Sequence, residues 1–236
     1  MHKVLAIDTS SFVLGVALID EKEVLGEIIT NSKKNHALRL MPAVSALLED
    51  LKVEPKELTH IIVANGPGSY TGVRIGVTTA KTLAWSLGIP LITVSSLENM
   101  AQVINYYNGF ICPIIDARRG QVFTGLYKRD SKELVLQEKE QLTLLQDWLQ
   151  YLKAKNEPVL FTGKDLTIHE DEIKNQLGEL ALFAPATMRL PRPAELAHLG
   201  MLKSPVNDVH QVTPQYLRLA EAEAKWREAQ EEKRND

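Results

Sequence analysis

The sequence predicts an α/β protein made of two related halves, and three observations lead to that prediction. Short, unalternating apolar runs, which are typical of strands covered on both faces, occur between segments with helical spacing. Two of these runs end in an aspartate, at Asp8 and at Asp116. Each aspartate is followed by a hairpin, a helix and a further strand that leads into a glycine. Because an internal repeat supports a fold better than any single element does, this order indicates a duplication.

The elements of the first half come in a regular order. Strands are predicted at residues 4–7, 14–19, 24–30, 61–64 and 91–94. A helical pattern spans residues 36–51, and Pro42 either kinks that helix or marks where its regular part begins. Residues 71–87 form the next predicted helix, which the segment Gly-Ile-Pro stops. Ser95, with Glu98 three residues later, has the pattern of a capping box for a helix through residue 103.

The second half repeats this order without matching its spacing residue for residue. Strands are predicted at residues 110–115, 121–127, 133–136 and 159–161, and helices at 142–152 and 193–202. Thr213 followed by Pro214 predicts the start of a last helix, 213–234. Two such units describe a duplicated ribonuclease-H-like, or actin-like, fold with two lobes. We assign residues 1–104 to the N-terminal lobe, completed by the last helix, and residues 105–212 to the C-terminal lobe.

The composition is that of an ordinary globular protein and excludes several classes. Of the 236 residues, 44% are hydrophobic and 24% are charged. The only cysteine, Cys112, excludes an intramolecular disulfide and fits a reducing compartment. The N-terminus does not have the pattern of a signal peptide, and no stretch approaches the roughly 18 apolar residues of a membrane span, so we expect a cytoplasmic protein. Because the net charge is −3, any nucleic acid would be held mostly by another chain.

The most specific segment is the glycine-rich loop of residues 65–76, Asn-Gly-Pro-Gly-Ser-Tyr-Thr-Gly-Val-Arg-Ile-Gly. A helix N-terminus behind a glycine turn offers free N–H groups to an anion, which makes phosphate or dinucleotide binding one hypothesis. Its G-x-G-x-x-x-G spacing differs by one residue from the dinucleotide fingerprint, however. The next strand leads into Ser95 and Ser96, where that fold requires an acidic residue for the ribose. The sequence therefore disfavours an NAD site.

The helix after this loop carries a face of small residues at four-residue spacing, which permits another backbone to approach closely. One interpretation is tight packing against the protein's own sheet. The sharper one is an interface with another chain, to which residues 38 and 41 of the preceding helix would add apolar area. The predicted interface residues are Leu38, Met41, Gly72, Val73, Gly76, Ala80 and Ala84. Glycine destabilises a helix by up to about 1 kcal/mol per site relative to alanine, so two glycines here indicate a steric demand.

The sequence resembles the TsaB family, the dimerisation partners in the bacterial machinery that makes N6-threonylcarbamoyladenosine in tRNA. The resemblance is carried by residues 5–10, 36–51, 66–76, 116–123 and 214–218. It covers most of the first half and parts of the second. The run Gly-Pro-Gly-Ser-Tyr-Thr-Gly is highly specific to this family and to its catalytic relative, TsaD. The resemblance implies an actin-like fold, a heterodimer with TsaD, and contact with the ATPase TsaE through the complex.

The resemblance also implies that the catalytic machinery is missing. TsaD holds a metal through an H-x-x-x-H pair, and Ser96 and Met100 stand at the matching positions. Neither side chain replaces imidazole for such an ion, so no metal is expected. Asp8 and Ser10 resemble the phosphate-binding turn of actin-like kinases without its glycine, and buried aspartates at strand ends also serve as structural carboxylates. We expect no cofactor and no catalytic residue, and no serine–histidine–acid trio is indicated.

The leading hypothesis is therefore a catalytically silent partner subunit that dimerises with TsaD and supports threonylcarbamoyl transfer to the adenosine beside the anticodon. We expect the isolated chain to pair with itself and to meet tRNA only indirectly. The first alternative is an actin-fold enzyme in its own right, either a small-molecule kinase or a metal-dependent transferase. The second is a nucleotide-gated scaffold, which would need Asp8 and Ser10 to contact phosphate.

Overall fold

A computed structural model of the chain describes residues 2–33, 35–130 and 133–217. The first half forms a five-stranded sheet of β1 (Val4–Asp8), β2 (Val13–Ile19), β3 (Val24–Asn31), β4 (His60–Ala64) and β5 (Leu91–Val94). The strand order is β3-β2-β1-β4-β5. The hairpin strands β1, β2 and β3 pair antiparallel, whereas β4 runs parallel to β1 and β5 parallel to β4.

The second half repeats this arrangement strand for strand. Its sheet contains β6 (Phe110–Asp116), β7 (Gln121–Asp130), β8 (Glu133–Leu144), β9 (Val159–Thr162) and β10 (Ala181–Phe183). The order is β10-β9-β6-β7-β8, with an antiparallel β6-β7-β8 hairpin unit and with β9 and β10 parallel to β6. The predicted duplication and the two-lobed, actin-like α/β fold are confirmed.

Six α-helices accompany the sheets in the described residues. They are α1 (Leu40–Asp50), α2 (Tyr70–Leu87), α3 (Ser96–Gln102), α4 (Leu145–Lys155), α5 (Leu166–Leu177) and α6 (Pro193–Met201). Short 3₁₀ turns occur at His36–Leu38, Pro55–Glu57, Gly178–Leu180, Ala186–Met188 and Val209–Gln211. None of the helices in the described part of the chain has the length and hydropathy that crossing a membrane requires.

The predicted ends of several helices have a local cause. The hydroxyl of Ser69 accepts a hydrogen bond from the N–H of Gly72 at the start of α2, and Gly88 ends that helix in a left-handed conformation. Ser95 caps α3 as predicted, by accepting from the two N–H groups of residues 97 and 98. The predicted helix at 36–51 begins only at Leu40, which places Pro42 in its first turn, where a missing N–H breaks no helical bond.

Other predictions of secondary structure were wrong. The helix predicted at 142–152 begins at Leu145, because β8 continues to Leu144 in register with Gln121 of β7. Helix α5 and strand β10 were not predicted; the α5 sequence is mostly polar, and β10 has only three residues. No helix starts at Thr213, since residues 213–217 are not helical, and the rest of that predicted helix lies outside the described residues.

Helices cover both faces of the first sheet. Helices α1 and α2 bury Val44, Val77 and neighbouring side chains against one face. Helix α6 buries Leu196 and Ala197 on the other face, against Ile62 of β4. This corrects the lobe assignment, because residues 193–201 follow the second lobe in sequence but pack on the first sheet.

Candidate functional site

A cavity of about 790 Å³ opens between the two lobes. Its first wall is formed by the β1–β2 turn at residues 10–12 and by the loop and first turn of α2 at residues 67–71. The second wall contains residues 115–118 at the end of β6, together with Phe123, Asp165 and Ile168. Residues 215–217 complete the lining. A cleft of this size between lobes is a common place for a ligand.

Asp8, one of the two candidate phosphate ligands, does not reach this cavity. It is only 1% exposed, and its Oδ1 accepts from the N–H and the hydroxyl of Ser10, at 2.9 and 2.7 Å. Its Oδ2 accepts from the side-chain amide of Asn99 at 3.0 Å. Burial raises the pKa of Asp8, and these hydrogen bonds oppose that rise. Asp8 therefore has the contacts of a structural carboxylate, and the hydroxyl of Ser10 is already engaged with it.

Asp116 ends β6 as Asp8 ends β1, but its surroundings differ. It is half-buried, lines the cavity and lies with Oδ1 3.1 Å from Nε2 of His169. Its N–H donates to Asp165 at 3.1 Å. Asp116 therefore faces the cleft, whereas Asp8, at the equivalent strand end, does not. Sequence reasoning missed His169 and Asp165 because it missed α5.

The glycines of the glycine-rich loop and of α2 let this helix pack closely on the β1–β2 turn. A Cβ at Gly72 or at Gly76 would come closer than 3.0 Å to the carbonyl oxygen or to the hydroxyl of Thr9. The same hydroxyl donates to the carbonyl oxygen of Gly72 at 2.7 Å. A Cβ at Gly68 would overlap the carbonyl oxygen of Ser10 in the same way. The steric demand that the glycines indicated is therefore met within the chain.

This packing corrects most of the predicted interface. Five of its residues are buried against the chain's own sheet and form no free surface: Gly72, Val73, Gly76, Ala80 and Ala84. Leu38 and Met41 are 76% and 42% exposed and remain available to a partner. The opposite face of α2 is exposed as well, at Thr71, Arg74, Thr78, Thr82 and Trp85. The helical spacing of these residues was a signal that the sequence reasoning did not use.

Ser96 and Met100, at the positions of the TsaD histidines, lie inside the protein. Ser96 is fully buried, and the hydroxyl has no hydrogen-bond partner among the described residues. Met100 packs in an apolar cluster with Leu97 and Ile111. Within the described ranges, no group of three or more histidine, cysteine or acidic side chains is placed to hold a metal ion.

Residues 202–217, which we call the C-terminal strap, run along one flank of α2. Tyr216 stacks on Tyr70 at 5.1 Å between ring centroids, and its hydroxyl accepts from Nε of Arg74 at 2.6 Å. Farther along the helix, Lys81 donates to the carbonyl oxygens of residues 210 and 212, both at 2.8 Å. Trp85 meets the ring of His210 edge to face. Four α2 side chains thus hold the strap beside the helix.

Glu140 of β8 lies at the N-terminus of α3, a helix that follows the first sheet in sequence and packs on the second. Its carboxylate accepts from the hydroxyls of Ser95, which caps α3, and of Tyr127 in β7. It also accepts from the side chain of Gln215 in the strap, at 3.3 Å. Both the burial of Tyr127 and this acidic neighbour raise its pKa. One carboxylate therefore links the start of α3, the second sheet and the strap.

Two repeated sheets around a cleft define a two-lobed, actin-like protein. The sequence matches the family model described as "TsaD: tRNA N6-adenosine threonylcarbamoyltransferase" over residues 23–226. It is 54% identical to the tRNA threonylcarbamoyladenosine biosynthesis protein TsaB of Bacillus subtilis, over 96% of this chain and 99% of that protein. The chain therefore belongs to the TsaB family, within the wider group that this family model describes.

More distant relatives agree with this assignment. The Escherichia coli TsaB is 35% identical over 54% of this chain and 56% of its own length. The solved structure of YeaZ from Pseudomonas aeruginosa superposes with a TM-score of 0.77 and 27% identity, covering 92% of this chain and all of that one. A second structure from the same organism, described as similar to the peptidase YeaZ, gives a TM-score of 0.78. The resemblance found in the sequence is confirmed.

Proposed function

We propose that the chain is a non-catalytic partner subunit in the biosynthesis of N6-threonylcarbamoyladenosine in tRNA. In this role it dimerises with a TsaD-type transferase and supports threonylcarbamoyl transfer by that enzyme. Membership of a family whose curated members are named for this pathway supports the pathway. The proposed pairing is supported by an exposed face of this chain, and the proposed lack of catalysis is supported by its interior.

The observation that carries the pairing is an exposed face on the first lobe, which we call the α1–α2 face. It consists of Leu38 in the turn before α1, Met41 in the first turn of α1, and the outward side of α2 at residues 71, 74, 78 and 82. The 3₁₀ turn packs against α2, so these residues form one continuous surface. Large apolar side chains that no part of a chain covers mark an interaction site. Two helices side by side suit a partner that also presents helices.

The interior supports the absence of catalysis by this subunit. The positions that would hold the metal carry Ser96 and Met100, and apolar neighbours surround the methionine. A thioether is a poor ligand for a hard or borderline ion. Asp8 and Ser10 are hydrogen-bonded to each other and not directed at a ligand. We therefore assign metal binding and transfer to the partner.

The α1–α2 face and the net charge of the chain also bear on its other partners, namely a second copy of itself, TsaE and tRNA. Without TsaD, the α1–α2 face pairs two copies of this chain, so a homodimer gives way to the heterodimer. TsaE joins through the complex. Because the net charge is −3, the partner neutralises most of the tRNA phosphates, and this chain meets tRNA only indirectly.

The alternative is that the chain is itself a transferase, which the description of the matching family model favours. The two proposals are separated by assaying the purified chain alone, the TsaD of the same organism alone with TsaE, and all three together. The partner role predicts transfer only when TsaD is present, and more transfer when this chain is added. Transfer by a preparation proven free of TsaD contradicts it and supports the alternative.

A further inference from the structure

Two of the segments that carry the sequence resemblance meet in one exposed cluster at the α1–α2 face. Tyr70 and Arg74 lie at the start of α2, and Tyr216 comes from the C-terminal strap. The guanidinium of Arg74 lies over the ring of Tyr70, 4.1 Å from its centroid, and 5.7 Å from the centroid of Tyr216. Both rings remain partly exposed, at 43% and 41%, so the cluster is part of the surface and not of the core.

The guanidinium of Arg74 is held in place without an acidic partner. The two rings fix its plane, and its Nε donates to the hydroxyl of Tyr216 at 2.6 Å. Among the described residues, no Asp or Glu forms an ion pair with it. An arginine that is stacked in this way is pre-organised to bind an oxyanion, either a carboxylate or a phosphate.

The segments that build the α1–α2 face are basic, although the net charge of the chain is −3. Residues 28–48, with most of α1, and residues 58–97, with all of α2, contain no Asp or Glu. Their lysines and arginines are at positions 33, 34, 39, 74 and 81. Because potentials across an interface are complementary, these segments fit a partner whose docking surface is acidic.

The neighbours of Arg74 favour a protein carboxylate over a nucleic-acid phosphate. Leu38 and Met41 of the same face are exposed and apolar. An apolar area beside a tyrosine–arginine cluster is typical of protein interfaces. A nucleic-acid interface depends instead on many cations, and Arg74 is the one charged member of the α1–α2 face as defined above.

We propose that Arg74 binds a carboxylate on the docking surface of the transferase and thereby selects it over a second copy of this chain. The inference rests on the proposed function, because it uses pairing through the α1–α2 face. When two copies of this chain pair through that face, residues 28–48 and 58–97 offer Arg74 no carboxylate. An acidic partner surface supplies one. Arg74 therefore adds affinity to the heterodimer and not to the homodimer, and a difference in affinity is what specificity requires.

The test measures the dissociation constant with TsaD of the same organism by titration calorimetry, without tRNA or nucleotide. Arg74→Gln removes the charge and should weaken the heterodimer about tenfold or more. Arg74→Glu sets a like charge against the carboxylate and should weaken it further. Arg74→Lys keeps the charge without the stacked fork and should fall between the wild type and Arg74→Gln. Lys22→Ala, which removes a positive charge from the exposed β2–β3 turn, is the control and should bind as the wild type does.

Self-association of the isolated chain is the second readout. Arg74→Gln should leave it unchanged or strengthen it, whereas damage to α2 or to the strap would weaken both kinds of pairing. The proposal is overturned if Arg74→Gln binds TsaD like the wild type, if Arg74→Glu is no worse than Arg74→Gln, or if Arg74→Gln weakens both pairings.

A phosphate ligand would give a different result. If the Arg74 variants pair normally with TsaD and the complex instead loses tRNA, the ligand is a phosphate and the proposal is overturned. In all of these cases the wild-type heterodimer forms, so the proposed function stands. A wild-type chain that does not pair with TsaD contradicts the proposed function, and this inference with it.

Discussion

The hydroxyl of Thr9 occupies the space in which a Cβ at Gly76 would lie, and this contact ties α2 to the end of β1. Gly76→Leu is therefore expected to destabilise the monomer itself. Overpacking a buried site typically lowers the free energy of unfolding by about 1–3 kcal/mol. Chemical denaturation of the variant measures this loss. Thr78→Leu, on the exposed side of the same helix, is the matched control and should change stability by less than about 0.5 kcal/mol. A fully stable Gly76→Leu variant would contradict the packing described for α2.

Asp8→Asn should lower the free energy of unfolding less than Asp8→Ala does. Asp8→Asn keeps an oxygen for the bonds from Ser10, and Asn99 has an Oδ1 without a partner among the described residues that can accept after its amide rotates. Asp8→Ala leaves those donors unpaired, which costs about 1–3 kcal/mol. Comparing the unfolding free energies of both variants at pH 7 tests this. Equal losses would contradict a structural role based on hydrogen bonding.

The pH dependence of stability should also change in the Asp8→Asn variant. Burial raises the pKa of Asp8 in the folded protein, so the folded state binds its proton more tightly than the unfolded state does. The contribution of Asp8 to the free energy of unfolding is therefore fully present at a pH below its pKa in the unfolded chain. It is lost as the pH rises through its pKa in the folded protein. Unfolding measured across this window should show a decline in the wild type that Asp8→Asn lacks. Parallel pH profiles would show that Asp8 does not carry the effect.

The carboxylate of Glu140 should couple the start of α3 energetically to the second sheet. Glu140→Gln is expected to destabilise the protein by about 1–3 kcal/mol, because it weakens hydrogen bonds from Ser95 and Tyr127 to a charged acceptor. A double-mutant cycle with Ser95→Ala measures the coupling energy between the two side chains. Because the groups are in contact, this energy should exceed about 0.5 kcal/mol. Glu133→Gln, on the same strand and exposed, is the control. Purely additive losses would mean that Glu140 does not couple Ser95 to the second sheet.

Much of the fold could be predicted from the sequence because strands buried on both faces have continuous apolar sequences. The positions of Asp8 and Asp116 at the ends of equivalent strands followed from that pattern alone. Helix α5 was missed because it buries only a few of its side chains, among them Ile173. Helix α6 was assigned to the wrong lobe because spacing along the chain does not tell which sheet a helix covers. Only tertiary packing decides that.

The small-residue face of α2, which the sequence offered as a candidate interface, packs inside the chain. Small residues at four-residue spacing show that a backbone approaches closely, and the sequence does not show whose backbone it is. Here it is the chain's own β1–β2 turn, at Thr9. The exposed side of α2 has a helical spacing that the sequence does show, at Thr71, Arg74, Thr78 and Thr82, but polar surface residues at that spacing occur on most helices and do not by themselves indicate an interface.

The measurement that most directly tests the partner role is the mass of the complex formed with TsaD of the same organism, by light scattering after size exclusion. The full-length wild-type chain is expected to elute as a heterodimer. Leu38→Asp places a charge on the exposed α1–α2 face and should weaken association about a hundredfold, a loss near 3 kcal/mol, with the monomer still folded. Val24→Asp, exposed at the far end of the first sheet, should bind as the wild type does. Wild type that stays apart from TsaD, or Leu38→Asp that binds as tightly as wild type, would contradict the account.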